Sequence, residues 1–430
     1  MVSFVVSLIA LVLGYFIYGK VVDRVFKPEE SRAMPCDVLR DDVDFIPLST
    51  PKVFLIQFLN IAGTGPIGGA ILGILFGPAA YLWIVFGCIF AGAVHDYLTG
   101  MICVRMGGVS LPEIVGNVFG KSMYNGMREF SIILLLLVGT VFTVTSADLL
   151  ASLTESFSWS SPLVWTIIIL LYCILATTFP ISTFIGRLYP IFGIALLFMA
   201  AGMCYGIFTQ PGWMPEITEG LGSCHPKNLP VFPMLCVNIA CGAISGFHAT
   251  QSPLMARCVK NEKYGRKVFY GSMITEGIVA LIWAAAAIKF AGSYENLASM
   301  GTPAIVVNKV SSEWLGLAGY VLAVLGVVIA PITSGDTAFR SARLIIAEYL
   351  KVNQSTIVKR LLVSSPLFIL ACVLVTLDFN VIWRYFAWCN QTVACIMLWT
   401  ATMWLRRHKK NYWIALVPAV FMTVVCVLYI

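Results

Sequence analysis

Twelve apolar runs divide the sequence, and each has about the length that a helix needs to cross a lipid bilayer, roughly 20 residues. They lie at 2–22, 53–76, 79–104, 129–153, 162–180, 186–208, 231–257, 264–290, 314–334, 357–377, 381–405 and 411–430. Charged residues make up only 11% of the chain, whereas soluble domains carry roughly 25%. The sequence therefore predicts an all-α, multi-pass membrane protein with a single transmembrane domain over 1–430.

The basic residues predict how these runs are oriented. Lys and Arg concentrate in the cytoplasmic loops of membrane proteins, so the net charge of +7 indicates topology rather than a nucleic-acid partner. The chain has 28 Lys and Arg residues. If it crosses the membrane twelve times, all of them lie on the cytoplasmic side except Lys227, Lys289, Lys309 and Arg384. We therefore expect both termini to lie on the outer side of the membrane. The membrane is expected to be a bacterial inner membrane. The run at 2–22 is expected to be an anchor, because no basic residue precedes it.

The run at 231–257 is interrupted by the polar stretch GAISGFHATQSP at 242–253. A helix broken at membrane depth leaves backbone N–H and C=O groups that lipid cannot satisfy, so the break must be buried in protein or line a wet cavity. The stretch is therefore either part of a solute or ion site, or a proline kink whose polar side chains bond to neighbouring helices.

A second run, at 53–76, is broken in its middle by NIAGTGPIGG at 60–69. The two broken runs are five spans apart and cross the membrane in opposite directions, as inverted repeats require. Matched Gly/Pro interruptions in two halves of a chain favour a transporter site. We therefore expect two inverted repeats of five helices, at 53–208 and 231–405. One extra helix lies at each end, at 2–22 and 411–430.

The small and polar residues at the two breaks are the candidate substrate ligands. Half-helix N-termini at such breaks favour an anionic group such as a carboxylate, and unwound carbonyls favour a cation. Asn390 and Gln391, inside the run at 381–405, are further candidate ligands because their amides can donate and accept hydrogen bonds. The alternative is that these amides only form hydrogen bonds to neighbouring helices. The full set is Asn60, Gly63, Thr64, Gly65, Ser245, His248, Thr250, Gln251, Asn390 and Gln391.

Ionisable residues inside apolar runs are costly at membrane depth, so each one suggests a function or a partner. Asp96, His248 and Glu276 are candidates for carrying a coupling proton or another cation, and an imidazole suits a proton relay near neutral pH. The alternatives are a structural ion pair or hydrogen bond at Asp96, and a neutral His248 that only bonds to substrate or backbone.

A third set of ionisable residues follows the run at 314–334. Asp336 comes directly after it, and Arg340 and Arg343 follow at helical spacing. This Asp–Arg cluster is a candidate inner gate, which breaks when the site opens to the cytoplasm. The alternative is a solvated helix start with an acidic residue near its N-terminus.

Other classes of protein fit the sequence less well. The thirteen cysteines lie mostly in apolar runs, no C-x-x-C occurs and the four histidines are scattered, so we expect no metal site and no cofactor. No nucleophile–base set is visible, which disfavours an enzyme. The polar patches are too short for the continuous stripe of a channel. A sensor that binds a solute without moving it would show the same site.

Five short motifs occur in a fixed order along the chain. They are IAGTGP at 61–66, GAVHD at 92–96, SGFHA at 245–249, DTAFRSAR at 336–343 and NQ at 390–391. Together with DVDFIP at 42–47, they resemble the motif set of the carbon starvation protein family (CstA-type), and the resemblance covers most of residues 1–400. It implies membership of the amino acid–polyamine–organocation transporter superfamily.

The resemblance also implies a LeuT-like core of ten helices and uptake of pyruvate or short peptides, with proton coupling in the pyruvate carriers. One departure is Gln57, because longer family members carry two histidines just before the first motif. We therefore expect a proton-coupled symporter for a small carboxylate or short peptide. The alternatives are a sodium-coupled transporter of amino acids or other solutes and a non-transporting sensor. No oligomeric state is predicted.

Overall fold

The computed structural model describes residues 1–63, 65–154, 157–179, 185–323 and 328–429. These residues contain no β-strand and form twenty α-helices. The first ten are α1 (Val2–Phe16), α2 (Tyr18–Phe26), α3 (Pro35–Val38), α4 (Thr50–Ile61), α5 (Ala70–Gly73), α6 (Ala79–Phe86), α7 (Ala93–Arg105), α8 (Leu111–Phe119), α9 (Lys121–Leu153) and α10 (Pro162–Thr178). The other ten are α11 (Ile185–Thr209), α12 (Met234–Asn238), α13 (Gly246–Ala256), α14 (Gly271–Ala291), α15 (Tyr294–Ser299), α16 (Pro303–Ala323), α17 (Ile329–Leu350), α18 (Ile357–Leu374), α19 (Phe379–Arg407) and α20 (Trp413–Tyr429). Short π-helical turns join some of them at Gly65–Gly69, Gly87–Gly92 and Arg266–Tyr270.

Within the described residues, six helical segments are long and apolar enough to cross a membrane. They are Val2–Phe26, Ala79–Arg105, Lys121–Ala151, Tyr189–Thr209, Glu262–Ala291 and Ile357–Leu374. A seventh is the bent pair Thr50–Ile61 and Gly65–Phe76, whose two parts meet at 53°. Two shorter apolar helices are α10 and α20. The all-helical class is confirmed, whereas the count of twelve spans and the five-plus-five repeat stay predictions.

The predicted span at 314–334 stays a prediction. It overlaps α16, which is kinked at Gly316, and the start of α17, which extends beyond it and contains Asp336. Residues 324–327, between these two helices, lie outside the described residues. Pro331 does not interrupt α17, because it lies in the first turn, where its missing N–H has no intrahelical partner.

The helix α13 lies at the centre of the fold. It packs against α4, α7 and α19, and all of its residues are buried. Its close approach to α19 depends on Gly246, because a Cβ atom there would lie 2.1 Å from the backbone oxygen of Asn390. The helix α14 packs against α1, α4 and α11. Polar residues on α13 and α14 are therefore surrounded by protein rather than by lipid.

Candidate functional site

The first break follows α4, which ends at Ile61. Beyond it, the chain resumes as the π-helical turn Gly65–Gly69, and the two parts meet at 53°. In the last turn of α4, Asn60 is fully buried and neither polar atom of its amide makes a hydrogen bond. A buried amide without partners is costly, so Asn60 is available to a ligand. The predicted ligand Thr64 lies outside the described residues.

The second break separates α12 from α13 and occupies residues 239–245. The predicted break at 242–253 was placed too late in the chain, because the helix resumes at Gly246 and holds Pro253 in its interior. The prediction equated polar side chains with a broken backbone. In the structure most of that polar stretch is helical, and its side chains turn to neighbouring helices.

A side chain from α19 holds the N-terminus of α13. The Oδ1 atom of Asn390 accepts hydrogen bonds from the backbone N–H of Phe247 at 2.8 Å and from the hydroxyl of Ser245 at 3.0 Å. The first N–H groups of a helix have no intrahelical partners, so Asn390 caps the helix in place of a residue from α13 itself. The Nδ2 atom of Asn390 is buried and makes no hydrogen bond, which leaves a donor for a ligand.

The two breaks meet at a cavity of about 70 Å³. A Cβ atom on Gly65 would lie 2.2 Å from Sγ of Cys241, and one on Gly63 would lie 2.8 Å from the ring of Phe142. The cavity lining includes Gly65, Gly69, Phe142, Trp383, Phe386 and Asn390. The aromatic members were not predicted, because an aromatic residue in an apolar run looks the same in sequence whether it faces lipid or a cavity.

Some predicted ligands lie away from this cavity. The backbone oxygen of Thr250 accepts a hydrogen bond from the Ser341 hydroxyl at 3.1 Å, and the Gln251 amide donates to that hydroxyl at 3.4 Å. These bonds tie α13 to α17. Gln391 donates to the backbone oxygen of Ile244 at 3.4 Å. The contacts of Gln391 fit the interhelical alternative, whereas Asn390 both bonds between helices and lines the cavity.

Ionisable residues from three helices form one buried line. On α7, Nδ1 of His95 lies 2.8 Å from Oδ1 of Asp96. On α13, Nδ1 of His248 lies 3.0 Å from the other oxygen, Oδ2 of Asp96, and its Nε2 lies 3.6 Å from Oε2 of Glu276 on α14. All four side chains are at most 1% exposed. The sequence identified Asp96, His248 and Glu276 one by one; the structure brings them together and adds His95.

The predicted gate residues pair differently from the expectation. Arg340 and Arg343 bind one carboxylate, that of Asp44, at 2.9 and 3.0 Å. Asp336 instead accepts a hydrogen bond from the hydroxyl of Tyr189. The ion pairs are therefore made by Asp44 rather than by Asp336, whereas a gate at Asp336, Arg340 and Arg343 stays a prediction. Helical spacing reveals only neighbours along one helix, and Asp44 lies 296 residues away from Arg340 in the chain.

Asp44 is 2% exposed and lies in the loop before α4. Burial alone would raise the pKa of its carboxyl, but attraction to Arg343, Arg340 and Arg257 outweighs burial and lowers the pKa below its ordinary value. Arg340 is held further by the backbone oxygen of Phe179 at 2.7 Å. This loop is therefore locked onto α17 by a charged carboxylate.

Comparison with known proteins identifies the family. The model of the family described as "Carbon starvation protein CstA" matches residues 1–161, 150–318 and 286–428, which together span nearly the whole chain. The chain belongs to this family. Among its relatives, an uncharacterized membrane protein of Haemophilus influenzae is 42% identical over 69% of this chain and 92% of its own length.

Two further relatives carry the names of transporters. The peptide transporter CstA of Campylobacter jejuni is 28% identical over 70% of this chain and 52% of its own length. The pyruvate/proton symporter BtsT of Escherichia coli is 27% identical over 65% of this chain and 47% of its own length. The chain thus spans about half the length of these named relatives.

A solved structure has the same fold. The structure of MhsT in complex with L-phenylalanine matches with a TM-score of 0.64 and 11% sequence identity, over 88% of this chain and 99% of MhsT. MhsT has the LeuT fold, so the expected LeuT-like class is confirmed. At this level of identity the likeness concerns the fold alone.

Proposed function

We propose that this protein is a secondary active symporter that imports a small carboxylate such as pyruvate, or a short peptide. One observation carries the proposal: two broken helices meet at a cavity lined by Asn390, whose amide nitrogen makes no hydrogen bond, and Asn60, in the last turn before the first break, has a second buried amide without partners. Relatives named as a peptide transporter and as a pyruvate/proton symporter suggest the substrate classes. Both classes carry a carboxylate, and amide N–H groups donate to carboxylates.

The substrate lies between the two breaks. The Nδ2 atoms of Asn60 and Asn390 donate to its carboxylate or carbonyl oxygens, because both donors are buried and without a protein acceptor. Gly63 and Gly65 let the backbone of the first break approach closely. Ser245, which is bonded to Asn390, holds that amide in place.

The coupling ion is handled by the buried line of Asp96, His248 and Glu276. A charged carboxylate at membrane depth costs free energy unless a cation or proton neutralises it. Binding of the coupling ion to these carboxylates is therefore linked to the opening of the substrate site. Imidazole exchanges protons near neutral pH, and His248 contacts both carboxylates. We assign a proton as the coupling ion, which is supported by the relative named as a pyruvate/proton symporter.

The inner gate is the bridge from Asp44 to Arg340 and Arg343. While it is closed, the loop before α4 stays docked on α17. Opening inward breaks the bridge and releases this loop, as rocking of one helix bundle against the rest requires.

Uptake into proteoliposomes tests the proposal. Uptake of labelled pyruvate or a dipeptide should saturate and should rise with an inward proton gradient. The variants His248→Ala and Asp96→Asn should each lower gradient-driven uptake at least about tenfold, because general acid–base groups contribute on the order of 10²-fold or more.

The exposed His408 provides the control, and His408→Ala should transport normally. Uptake driven only by sodium would refute the proton assignment, and binding without flux would make the protein a sensor.

A further inference from the structure

Three potential metal ligands from the second break and α14 are gathered beside the cavity. Sγ of Cys241, one ring nitrogen of His248 and one carboxylate oxygen of Glu276 all lie within 4.8 Å of one another. All three residues are buried, at 4%, 0% and 0% exposure. Neither Nε2 of His248 nor either carboxylate oxygen of Glu276 makes a hydrogen bond. The Cys241 thiol has one weak partner, the hydroxyl of Ser245 at 3.7 Å, whereas the protein leaves the other two groups without a hydrogen bond.

The distances suit a shared ion better than a direct hydrogen bond. His248 Nε2 and Glu276 Oε2 are 3.6 Å apart, beyond the usual N–H···O range of about 2.7–3.2 Å. Two ligands on one tetrahedral zinc, each at about 2.0–2.2 Å, lie about 3.3–3.6 Å from each other. The observed separation is therefore close to the spacing of two ligands on one ion. The sulfur of Cys241 lies within 4.8 Å of both other ligand atoms and would move closer on binding, because a zinc–sulfur bond is about 2.3 Å long.

The surroundings of His248 match those of a metal-binding histidine. Its other ring nitrogen, Nδ1, lies 3.0 Å from Oδ2 of Asp96, and Oδ1 of Asp96 lies 2.8 Å from Nδ1 of His95. Metal-ligating histidines commonly donate their second N–H to a carboxylate, which fixes the tautomer and the orientation of the ring. With Nδ1 as the donor, Nε2 carries a lone pair that points toward Glu276.

We propose that Cys241, His248 and Glu276 bind one divalent transition metal ion of the zinc type, with Asp96 and His95 orienting the histidine. A mixed sulfur, nitrogen and oxygen set suits such borderline ions. Three protein ligands leave the fourth tetrahedral position open, and Cys241 lines the cavity between the breaks, which provides the route of entry. The bound ion offsets the charges of the thiolate and the buried carboxylate, which lipid and protein alone do not compensate. The proposal shares His248 and Glu276 with the proposed coupling site, and a bound metal ion would take both groups out of proton exchange. Metal binding is therefore argued independently of the proposed function.

Cobalt binding to the purified protein tests the site directly. After removal of metal with a chelator, titration with Co²⁺ should produce a thiolate-to-cobalt charge-transfer band that saturates at about one equivalent, and Zn²⁺ should abolish the band. Cys241→Ser should eliminate the band, because the sulfur ligand is gone. Cys236→Ser is the matched control: this buried cysteine lies on α12 and is not among the three ligands, so the band should persist.

Retained zinc, measured by elemental analysis after gel filtration, gives a second readout. Glu276→Gln should lower zinc affinity at least about tenfold, and Asp96→Asn about 10–100-fold, as removal of a supporting carboxylate does elsewhere. Absence of a saturable band in the unaltered protein, or a band unchanged in Cys241→Ser, would overturn the site. Transport by a protein that binds no metal refutes the metal site and leaves the carrier; metal binding without flux refutes the carrier and leaves the site.

Discussion

At the residue scale, Asn390 shows how one side chain can serve structure and function together. Its amide oxygen accepts hydrogen bonds from the N–H of Phe247, in the first turn of α13, and from the hydroxyl of Ser245, whereas its amide nitrogen is left for a ligand. The two halves of the amide can therefore be separated by substitution. Asn390→Asp keeps an acceptor but removes the donor, and Asn390→Ala removes both.

We expect Asn390→Ala to destabilise the protein by about 1–3 kcal/mol, because two buried donors lose their acceptor. Asn390→Asp should lose less stability than Asn390→Ala and yet abolish uptake, because the donor is gone and a negative charge faces the substrate carboxylate. Thermal unfolding in detergent and uptake in proteoliposomes measure the two effects. Thr400→Ala on the same helix is the control, since this hydroxyl only bonds to the backbone oxygen of Ile396. Normal uptake by Asn390→Asp would contradict the donor role.

The sequence predicted some site residues and missed others for physical reasons. Asn60 and Asn390 could be predicted because an amide inside an apolar run is costly and stands out. Phe142 and Phe386 gave no signal, since an aromatic ring in an apolar run is ordinary. The prediction that no metal site exists rested on spacing along the chain, and spacing does not show that Cys241 meets Glu276 from another helix.

At the scale of helices, the contact of α13 with α19 depends on the absence of a side chain at Gly246. A Cβ atom there would lie 2.1 Å from the backbone oxygen of Asn390 and 2.6 Å from the backbone nitrogen of Ala394. Backbone atoms cannot move aside as the end of a side chain can. The two helices must therefore part if any side chain is added.

We expect Gly246→Ala to destabilise the protein by about 1–3 kcal/mol, the usual cost of overpacking a core. Gly126→Ala is the matched control, because Gly126 lies in α9 and a Cβ atom there meets nothing within 4 Å. That change should be neutral or stabilising by up to about 1 kcal/mol, as expected for alanine in place of glycine in a helix. Unfolding curves in detergent compare the two, and equal stabilities would show that α13 and α19 are not rigidly packed.

The existence of both broken helices was predictable because glycine and proline at membrane depth mark them. Their extent was not, since polar residues on α13 remain helical when other helices surround them.

At the scale of the whole molecule, the ion pairs of Asp44 connect the loop before α4 to α17, although Asp44 and Arg340 are 296 residues apart in the sequence. We expect Asp44→Asn to destabilise the closed form by about 3–5 kcal/mol, because it leaves two buried guanidinium groups without their carboxylate. Asp42→Asn is the control, since Asp42 forms an exposed pair with Arg40 and exposed pairs contribute little. Thermal unfolding measures stability, and labelling of cysteines introduced behind the loop measures opening. Unchanged labelling in Asp44→Asn would contradict the gate.

The pH dependence of this bridge follows from the sign of the shift. The pKa of Asp44 is lowered in the folded protein, so its contribution is complete above the unfolded pKa of roughly 3.9 and is lost only as pH falls through the lower folded value. Between about pH 5 and 8 the bridge stays charged. The proposed inner gate would therefore open by movement of helices and not by protonation of Asp44.

The whole fold was more predictable than the contacts within it. Long apolar runs leave a membrane chain few choices besides helices, and the order of motifs gave the LeuT-like class. Pairing between distant residues, such as Asp44 with Arg343, depends on the assembled structure, and no periodicity in the sequence encodes it.

The small size of the cavity has a consequence for selectivity. About 70 Å³ is far less than the roughly 300–1,000 Å³ of ordinary ligand pockets, so this cavity must widen to hold most ligands. If this cavity is the substrate site, as proposed, a substrate must push apart the aromatic side chains of Phe142, Trp383 and Phe386, and the free energy required grows with the size of the substrate. A three-carbon acid would then need little widening and a dipeptide much more. We therefore expect selectivity to depend on the stiffness of the helices as much as on the groups that contact the substrate.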